Sequence, residues 1–371
     1  MKSALVYEWL VTHGGGEKTL AAIAELFPSP IYALVKDDKY IKSSPFAATS
    51  VTTTFLQKFP NATQWYRYYL PFFSSAIETL DLKEYDLVLS VSHAVAKGVE
   101  TGPHQLHLCY CLTPMRYAWD LENVYLDKLG FLQKQFARMT LERLRRWDVK
   151  SARRVDHFAT ISHYVANRIH RIYGKESEVI YPPVDVEKIT LEENKEDFYL
   201  TVSRLVPYKN VELIVETFAQ LSDRRLVVIG DGPEMEAIKK KATKNVEILG
   251  SQPESTVHHY LKKARAFIFA AEEDFGIAPV EAQAAGTPVI ALGKGAALET
   301  ILSNKTGVFF QEPTVYHLLQ AIKAYERAEF DCKKIRQHAE RFSTERFKRE
   351  FSQFVHGKLD LFRKRSIGGI L

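Results

Sequence analysis

Two glutamates, Glu273 and Glu281, bracket the stretch E-D-F-G-I-A-P-V-E. The apolar run before it, residues 266–270, reads as a buried strand. Pro279 stands where a helix should open, at a position that needs no backbone N–H. One carboxylate is then expected in the loop after the strand, and the other one turn into the helix. Between them Phe275, Gly276 and Ile277 offer backbone N–H groups at a helix N-terminus, a setting that attracts anions. Carboxylates that can hold hydroxyls, beside amides that can hold phosphate, suit a sugar nucleotide. A solvated acidic loop ahead of an ordinary helix is the competing reading, and the bare spacing of the two glutamates favours it.

Other residues of the right type sit at comparable places. V-S-R-L-V-P-Y-K-N closes a strand with Arg204 and Lys209, a planar fork and a point charge suited to a diphosphate leaving group; surface charge at a strand end explains them equally well. Gly230, in I-G-D-G-P-E, lies in a glycine-bounded strand-to-helix turn whose alternative explanation is turn chemistry alone. Gly14, Gly15 and Gly16 follow the first strand and let backbone approach a phosphate or sugar, although the later glycine of a dinucleotide fingerprint is missing. His93, in V-S-H-A, closes another strand and is placed for a polar contact to a reacting sugar; a lone histidine is more often structural. No D-x-D pair is present to hold a divalent metal on a diphosphate, so neither a metal nor a cofactor is expected.

The elements that must position these residues alternate in type. In the C-terminal half, apolar runs at 198–202, 226–229, 246–249, 266–270, 288–292 and 307–310 alternate with helical patterns, which argues for a parallel sheet covered on both faces. The N-terminal half repeats this less regularly, with strands expected at 3–7, 31–35, 85–91, 106–112 and 157–161, a helix over 17–27 and a long amphipathic helix over 131–152. Pro182-Pro183 and the polar stretch 187–197 read as the hinge. Two doubly wound domains facing across a cleft would place ligands where strand C-termini meet helix N-termini.

Composition agrees. A length of 371 residues suggests about two domains, and 46% apolar with 26% charged residues is that of a globular protein. No apolar run is long enough to span a bilayer, and the N-terminus reads as a first strand, so the cytoplasm is the expected compartment. Cys109, Cys111 and Cys332 have no framework spacing, and Cys109-Tyr110-Cys111 reads as strand. A net charge of +5 does not announce nucleic acid. The cations are concentrated in Arg138, Arg143, Arg145, Arg146, Lys150, Arg153 and Arg154, against Glu142 and Asp148, and again in Lys358, Arg363, Lys364 and Arg365; a solvated helix face is the ordinary account.

Taken together, the segments GGGEK, SHAVAKG, ISHYVANRI, VIYPPVD, VSRLVPYKN, IGDGPE, VEILG, EEDFGIAPVEAQAAGTPVIA and NKTGVFF resemble the retaining glycosyltransferases of the GT-B fold, glycosyltransferase family 4. They run in the family's order from Gly14 to about Phe310, more specifically in the second half. LVYEWL, YCLTPMRYAWD and SHAVAKG look most like the branch containing O-antigen mannosyltransferases. The resemblance implies an N-terminal acceptor domain over 1–184, a nucleotide-sugar domain over 185–343, and a final segment, 344–371, whose helix crosses back to the first domain. It implies that Glu273 contacts donor-sugar hydroxyls and Glu281 the ribose. Phe275, Gly276 and Ile277 would present amides to the donor phosphates, with Arg204 and Lys209 clamping the diphosphate and Gly15 and Gly16 closing over it. His93 matches a family histidine near the transferred sugar, and Leu249 falls where the base meets backbone. Leu112 stands where relatives often have His, and Ala296 or Ala297 where they often have Gly, which bears on selectivity more than on catalysis.

Transfer with retention by front-face attack follows from the resemblance, because no carboxylate is clearly placed as a nucleophile. GDP-mannose is the favoured donor, with UDP-hexoses open. The acceptor is expected to be a saccharide, lipid-linked and met at the inner membrane face, since the aromatic segment 65–73 and the basic runs suit anionic lipid; aromatics in the core and solvated arginines are the alternative. A sugar-nucleotide epimerase, a phosphorylase needing pyridoxal phosphate and a silent binding subunit are the rival functions.

Overall fold

The computed structural model describes residues 2–12, 14–120, 122, 126 and 130–368, with side chains to 364, so the Arg365 side chain lies outside the described residues. The chain divides into two compact units, Met1–Pro182 with Phe347–Leu371, and Pro183–Arg346. Each is α/β and built on a wholly parallel sheet.

The first unit holds β1 (Ser3–Leu10), β2 (Ile31–Lys36), β3 (Val51–Thr53), β4 (Leu87–Ser92), β5 (Leu106–Cys111), β6 (His157–Thr160) and β7 (Ser177–Val179). Their order is β3-β2-β1-β4-β5-β6-β7. The chain therefore winds outward from β1 in one direction and then, from β4, in the other. Right-handed crossovers place the helices of those two directions on opposite faces, the doubly wound Rossmann-like arrangement. Being covered on both sides explains why β4 and β5 are buried at every position, Cys109 and Cys111 included. The short strands β3 and β7, absent from the sequence-based expectation, form the two edges of this sheet.

The terminal helix Thr344–Gly368 completes this core. Its buried Phe347, Phe351, Phe354 and Val355 recur at helical spacing, and the Phe347 and Phe351 rings lie 5.5 and 5.7 Å from Tyr110 of β5.

A buried charge cluster ties the long helix Phe131–Ser151 to the turn after β4. Asp148, fully buried, pairs with buried Lys97 and accepts from Trp119 Nε1 at 2.8 Å and from the Tyr173 hydroxyl at 2.9 Å. Its charge is thus met on both carboxylate oxygens, which is what a buried ion needs. The expectation that the basic run is a solvated helix face is corrected here in part. Arg138, Arg143, Arg146, Lys150 and Arg153 are exposed, but Arg145 pairs with Glu122 and donates to the Ala118 carbonyl, while Arg154 bridges Glu78 and the Gly98 carbonyl. The aromatic segment also divides: Tyr66 and Phe73 are core, whereas Trp65, Tyr68 and Phe72 are exposed.

The second unit holds β8 (Glu196–Val202), β9 (Arg225–Ile229), β10 (Val246–Gly250), β11 (Ala264–Phe269), β12 (Val289–Leu292) and β13 (Gly307–Phe310), in the order β10-β9-β8-β11-β12-β13. Its direction of winding reverses between β8 and β11. The helix Val211–Ala219 packs Val211, Ile214, Val215 and Phe218 into a core shared with Leu226, Val228, Ile268 and Leu318. Among the described residues no helix is long and apolar enough to cross a membrane.

Candidate functional site

In a parallel sheet every strand ends on the same edge, and a crevice opens at that edge where the winding reverses. In the second unit the reversal lies between β8 and β11, and the loops leaving those two strands carry Lys209 and Glu273. Lys209 Nζ and a Glu273 carboxylate oxygen form an ion pair, both side chains largely shielded from solvent. The two loops are pinned by Asn210, whose Nδ2 donates to the Ala270 carbonyl at 2.8 Å. Asn210 holds φ at +53°, a left-handed conformation that asparagine tolerates better than most residues. A Lys–Asn pair after a strand was the available sequence signal for this anchor.

Neighbouring loops close on the same rim through backbone. Leu205 N donates to the Asp231 carbonyl at 2.9 Å and Ser203 N to the Ile229 carbonyl at 3.0 Å. This packing leaves no room at Gly230: a Cβ there would fall 1.8 Å from the Ser203 carbonyl oxygen. From the other side Ala296 N donates to the Glu273 carbonyl at 3.0 Å, so the loop after β12 fixes the backbone that carries this carboxylate.

The helix expected to begin near Pro279 begins at Ile277 and runs to Ala284, with Gly276 as its N-terminal cap at φ +84°. Gly276 can turn the chain this way because it lacks a Cβ. Ile277 is therefore the first helical residue, and Glu281 lies one turn in, half-buried. The Phe275 side chain is buried against Phe342, 5.6 Å between ring centroids, which leaves its backbone as the part at the loop. Gln283, fully buried, donates to the Thr300 carbonyl at 2.9 Å and anchors the helix from within.

Arg204 stands in the loop after β8 with its side chain exposed, so its fork is presented to solvent. Leu249 lies in a bulge of β10 beside Gly250, where the register to β9 shifts, and its carbonyl already accepts from Gln252 Nε2 at 2.7 Å. Arg204, Lys209, Gly230, Leu249, Glu273, Phe275, Gly276, Ile277 and Glu281 thus belong to one unit and to one end of its sheet.

The first unit gathers its own set at the equivalent edge. Glu8, on β1, is fully buried, and its Oε1 accepts from Ser92 Oγ and from the backbone N–H groups of His93, Ala94 and Ala96 at 2.8–3.2 Å. Its other oxygen, Oε2, lies 3.1 Å from Nδ1 of His93. The imidazole, 27% exposed, rests edge-on against Trp9 at 4.8 Å and tilted over Tyr7 at 5.8 Å. Burial alone would raise the Glu8 carboxyl, but the His93 charge and the amide donors overcome it and hold it below the ordinary 4.5. Burial likewise opposes the His93 charge, and the Glu8 carboxylate outweighs it, so the imidazole is held above its ordinary 6.5.

Gly15 opens the helix Gly15–Leu26 two residues ahead of the expected start, and its carbonyl accepts from Thr19 Oγ1 at 2.9 Å. A Cβ at Gly16 would fall 2.3 Å from the Tyr7 hydroxyl and 3.1 Å from Leu112 Cδ1, so close packing already requires a glycine there. Glu17, in the first turn, is buried beside Tyr7, and burial pushes its carboxyl up. Sequence reading passed over Glu8 and Glu17. The available signal for Glu8 was a carboxylate within an otherwise apolar strand.

Residues 185–342 match the family described as glycosyl transferases group 1, so the second unit contains a domain of that family. The chain is 25% identical over 257 residues to the alpha-1,3/1,6-mannosyltransferase ALG2 of Saccharomyces cerevisiae, covering 54% of this chain and 50% of that protein. It is 27% identical over 172 residues to the O-antigen chain mannosyltransferase RfbU of Salmonella typhimurium, covering 43% and 47%. A GDP-mannose-dependent alpha-(1-6)-phosphatidylinositol monomannoside mannosyltransferase of Mycobacterium tuberculosis is 33% identical over 138 residues, 33% of this chain and 36% of that one. The chain spans about half the length of the first of these curated relatives, and less of the mycobacterial one. Among solved structures, Anabaena Alr3699/HepE in complex with UDP-glucose superposes with a TM-score of 0.68 at 16% identity, covering 96% of this chain and 100% of that one. That likeness gives the fold class, two Rossmann-like domains of the GT-B type.

Two outcomes follow. The Glu8–His93 pair contributes most between about pH 4.5 and 6.5, where the carboxylate is ionised and the imidazole protonated; Glu8's share is lost as pH falls through its lowered value and that of His93 as pH rises through its raised one. In Glu8→Gln the His93 titration midpoint, followed by NMR, drops below the wild-type value, and an unchanged midpoint would show that Glu8 does not govern it. Gly230→Ala lowers the melting temperature steeply, by more than Gly250→Ala, whose Cβ meets nothing within 4 Å.

Proposed function

We propose that this protein is a retaining glycosyltransferase of family 4, moving a hexose from a nucleotide diphosphate sugar to a saccharide acceptor. The observation that carries the reading is the Lys209–Glu273 pair at the point where the second sheet reverses its winding. A cation for a diphosphate and a carboxylate for sugar hydroxyls meet there, beside the N-terminus of the helix Ile277–Ala284. Arg204 adds a second cation, presented to solvent in the same loop as Lys209.

In this reading the donor phosphates lie against the amides of Phe275, Gly276 and Ile277 and are neutralised by Lys209 and Arg204. Glu273 exchanges Lys209 for the hydroxyls of the sugar, and Glu281 holds the ribose. Gly230 and Leu249 shape the base-side rim by backbone. As the bond from the anomeric carbon to the leaving diphosphate breaks, negative charge gathers on a phosphate oxygen. The cations and amides are already aimed at that oxygen, so stabilising it needs no rearrangement. The same oxygen takes the acceptor's proton while the acceptor attacks from the face the leaving group vacates, which retains configuration. The chemistry asked of the protein is positioning and charge stabilisation, with no metal in the scheme. Within the first unit, His93, oriented by Glu8, is read as a polar contact for a sugar, and the Gly15–Gly16 turn as a place where backbone can approach one.

GDP-mannose is the proposed donor, supported by the mannosyltransferase relatives, one of which is GDP-mannose-dependent by name. A UDP-hexose is the second reading, favoured by the structural likeness to a protein crystallised with UDP-glucose. A lipid-linked saccharide at the cytoplasmic membrane face, within cell-surface polysaccharide synthesis, is the proposed acceptor setting, in keeping with the O-antigen and phosphatidylinositol-mannoside relatives. The epimerase alternative gains no support from the family match.

Lys209→Ala and Glu273→Ala each abolish transfer while circular dichroism stays that of the wild type; near-normal turnover in either would remove this donor site. In a thermal-shift panel of GDP-, UDP- and ADP-sugars, GDP-mannose gives the largest rise in melting temperature. A ligand at a hundredfold excess over its Kd stabilises by about 2.7 kcal/mol. A larger response to a UDP-sugar would transfer the assignment to that donor.

A further inference from the structure

The long helix Phe131–Ser151 has two apolar faces, and only one of them is used by the core. Leu141, Leu144, Asp148 and Ser151 are its buried residues. At 3.6 residues per turn they fall within one arc, and Phe131, Leu132, Phe136 and Met139 centre about 160° away from it. These four side chains are 76%, 81%, 64% and 72% exposed. Four large apolar side chains turned to solvent on adjacent turns are costly in water and mark an interaction surface.

The same outward arc continues toward the C-terminus as charge. Arg143, Arg146 and Lys150 follow Met139 on it, all exposed, with Glu142 beside them and paired to Arg146 at 2.6 Å. Arg138 and Arg153 are exposed as well. The surface is therefore apolar over its first turns and cationic over the next. A protein groove would have to match both parts individually. A bilayer interface supplies both without any specific fit: an acyl boundary for the aromatic and aliphatic groups, and phosphates within reach of the long cationic side chains.

We infer that this helix is a membrane-docking element: its Phe131, Leu132, Phe136 and Met139 face enters the surface of a bilayer, and Arg143, Arg146 and Lys150 bind anionic lipid headgroups there. The site is separate from the donor-binding residues and stands whether or not the acceptor is lipid-linked, because docking needs neither donor nor acceptor.

The test is co-sedimentation of the full chain with vesicles of phosphatidylcholine alone and of phosphatidylcholine mixed with phosphatidylglycerol. Binding to the mixed vesicles only, weakened by salt, is expected. Phe136→Ser with Met139→Ser, and separately Arg143→Glu with Arg146→Glu, should each weaken it by roughly tenfold or more while the melting temperature and the donor-induced thermal shift stay at wild-type values. Absence of vesicle binding, equal binding to both vesicle types, or wild-type binding by either double variant overturns the inference. So does a dimer in velocity sedimentation that Phe136→Ser with Met139→Ser dissolves, which would give the face to a second copy of the chain. Loss of the donor-induced shift with vesicle binding intact would instead count against the proposed transferase reading alone.

Discussion

Both sheets pair their strands in parallel throughout, and this single direction governs what the rest of each unit can do. A parallel strand must be re-entered by a crossover, so every strand's C-terminal end and every following helix's N-terminal end arrive at one edge. Backbone N–H groups without helical partners collect there, and the side chains of successive loops are brought together from distant parts of the sequence. Lys209 and Glu273 are separated by three helices, three strands and the loops between them along the chain, yet they meet because β8 and β11 are neighbours in the sheet. Asn210 and the glycine at 230 matter for the same reason: they hold loops at van der Waals distance so that the charged groups keep their places.

The first unit shows what such an edge costs. Glu8, Lys97 and Asp148 are charged and buried, a state that unmatched ions do not sustain. Each is met by several partners: those of Glu8 come from the end of β4 and the turn that follows it, and the same turn supplies Lys97 to Asp148, which Trp119 and Tyr173 also reach. The segment S-H-A-V-A-K-G is thereby held at both ends, by the Glu8 carboxylate at Ala94 and Ala96 and by Asp148 at Lys97. A turn fastened in this way is a firm mount for the histidine it carries.

Much of this was legible in the sequence, for a physical reason. Strands covered on both faces are apolar along most of their length, so β12 stands out as an unbroken run and β4, β5 and β11 as runs interrupted only by Ser90 and Ser92, by His107 and by Arg265. The edge strands Val51–Thr53 and Ser177–Val179 do not, because a short edge strand needs few apolar residues and is half polar. Loop residues at strand ends were recognisable from charge and glycine placement. What pairs with what was not: Asp148 looked like one more charge on a wet helix, and only the fold brings Lys97, Trp119 and Tyr173 around it. The outward apolar face of Phe131–Ser151 was hidden for the converse reason. An amphipathic pattern shows that a helix has a face to bury but does not say that a second one is left over.

The Glu8–His93 contact has a consequence for proton chemistry. One oxygen of the carboxylate is engaged by a hydroxyl and three amides, so the group is locked against rotation, and its other oxygen meets Nδ1, an atom itself sealed from solvent. With an ionised carboxylate oxygen 3.1 Å away, the neutral imidazole is favoured in the tautomer that carries its hydrogen on Nδ1. Whatever proton this histidine gives up or takes must pass through Nε2.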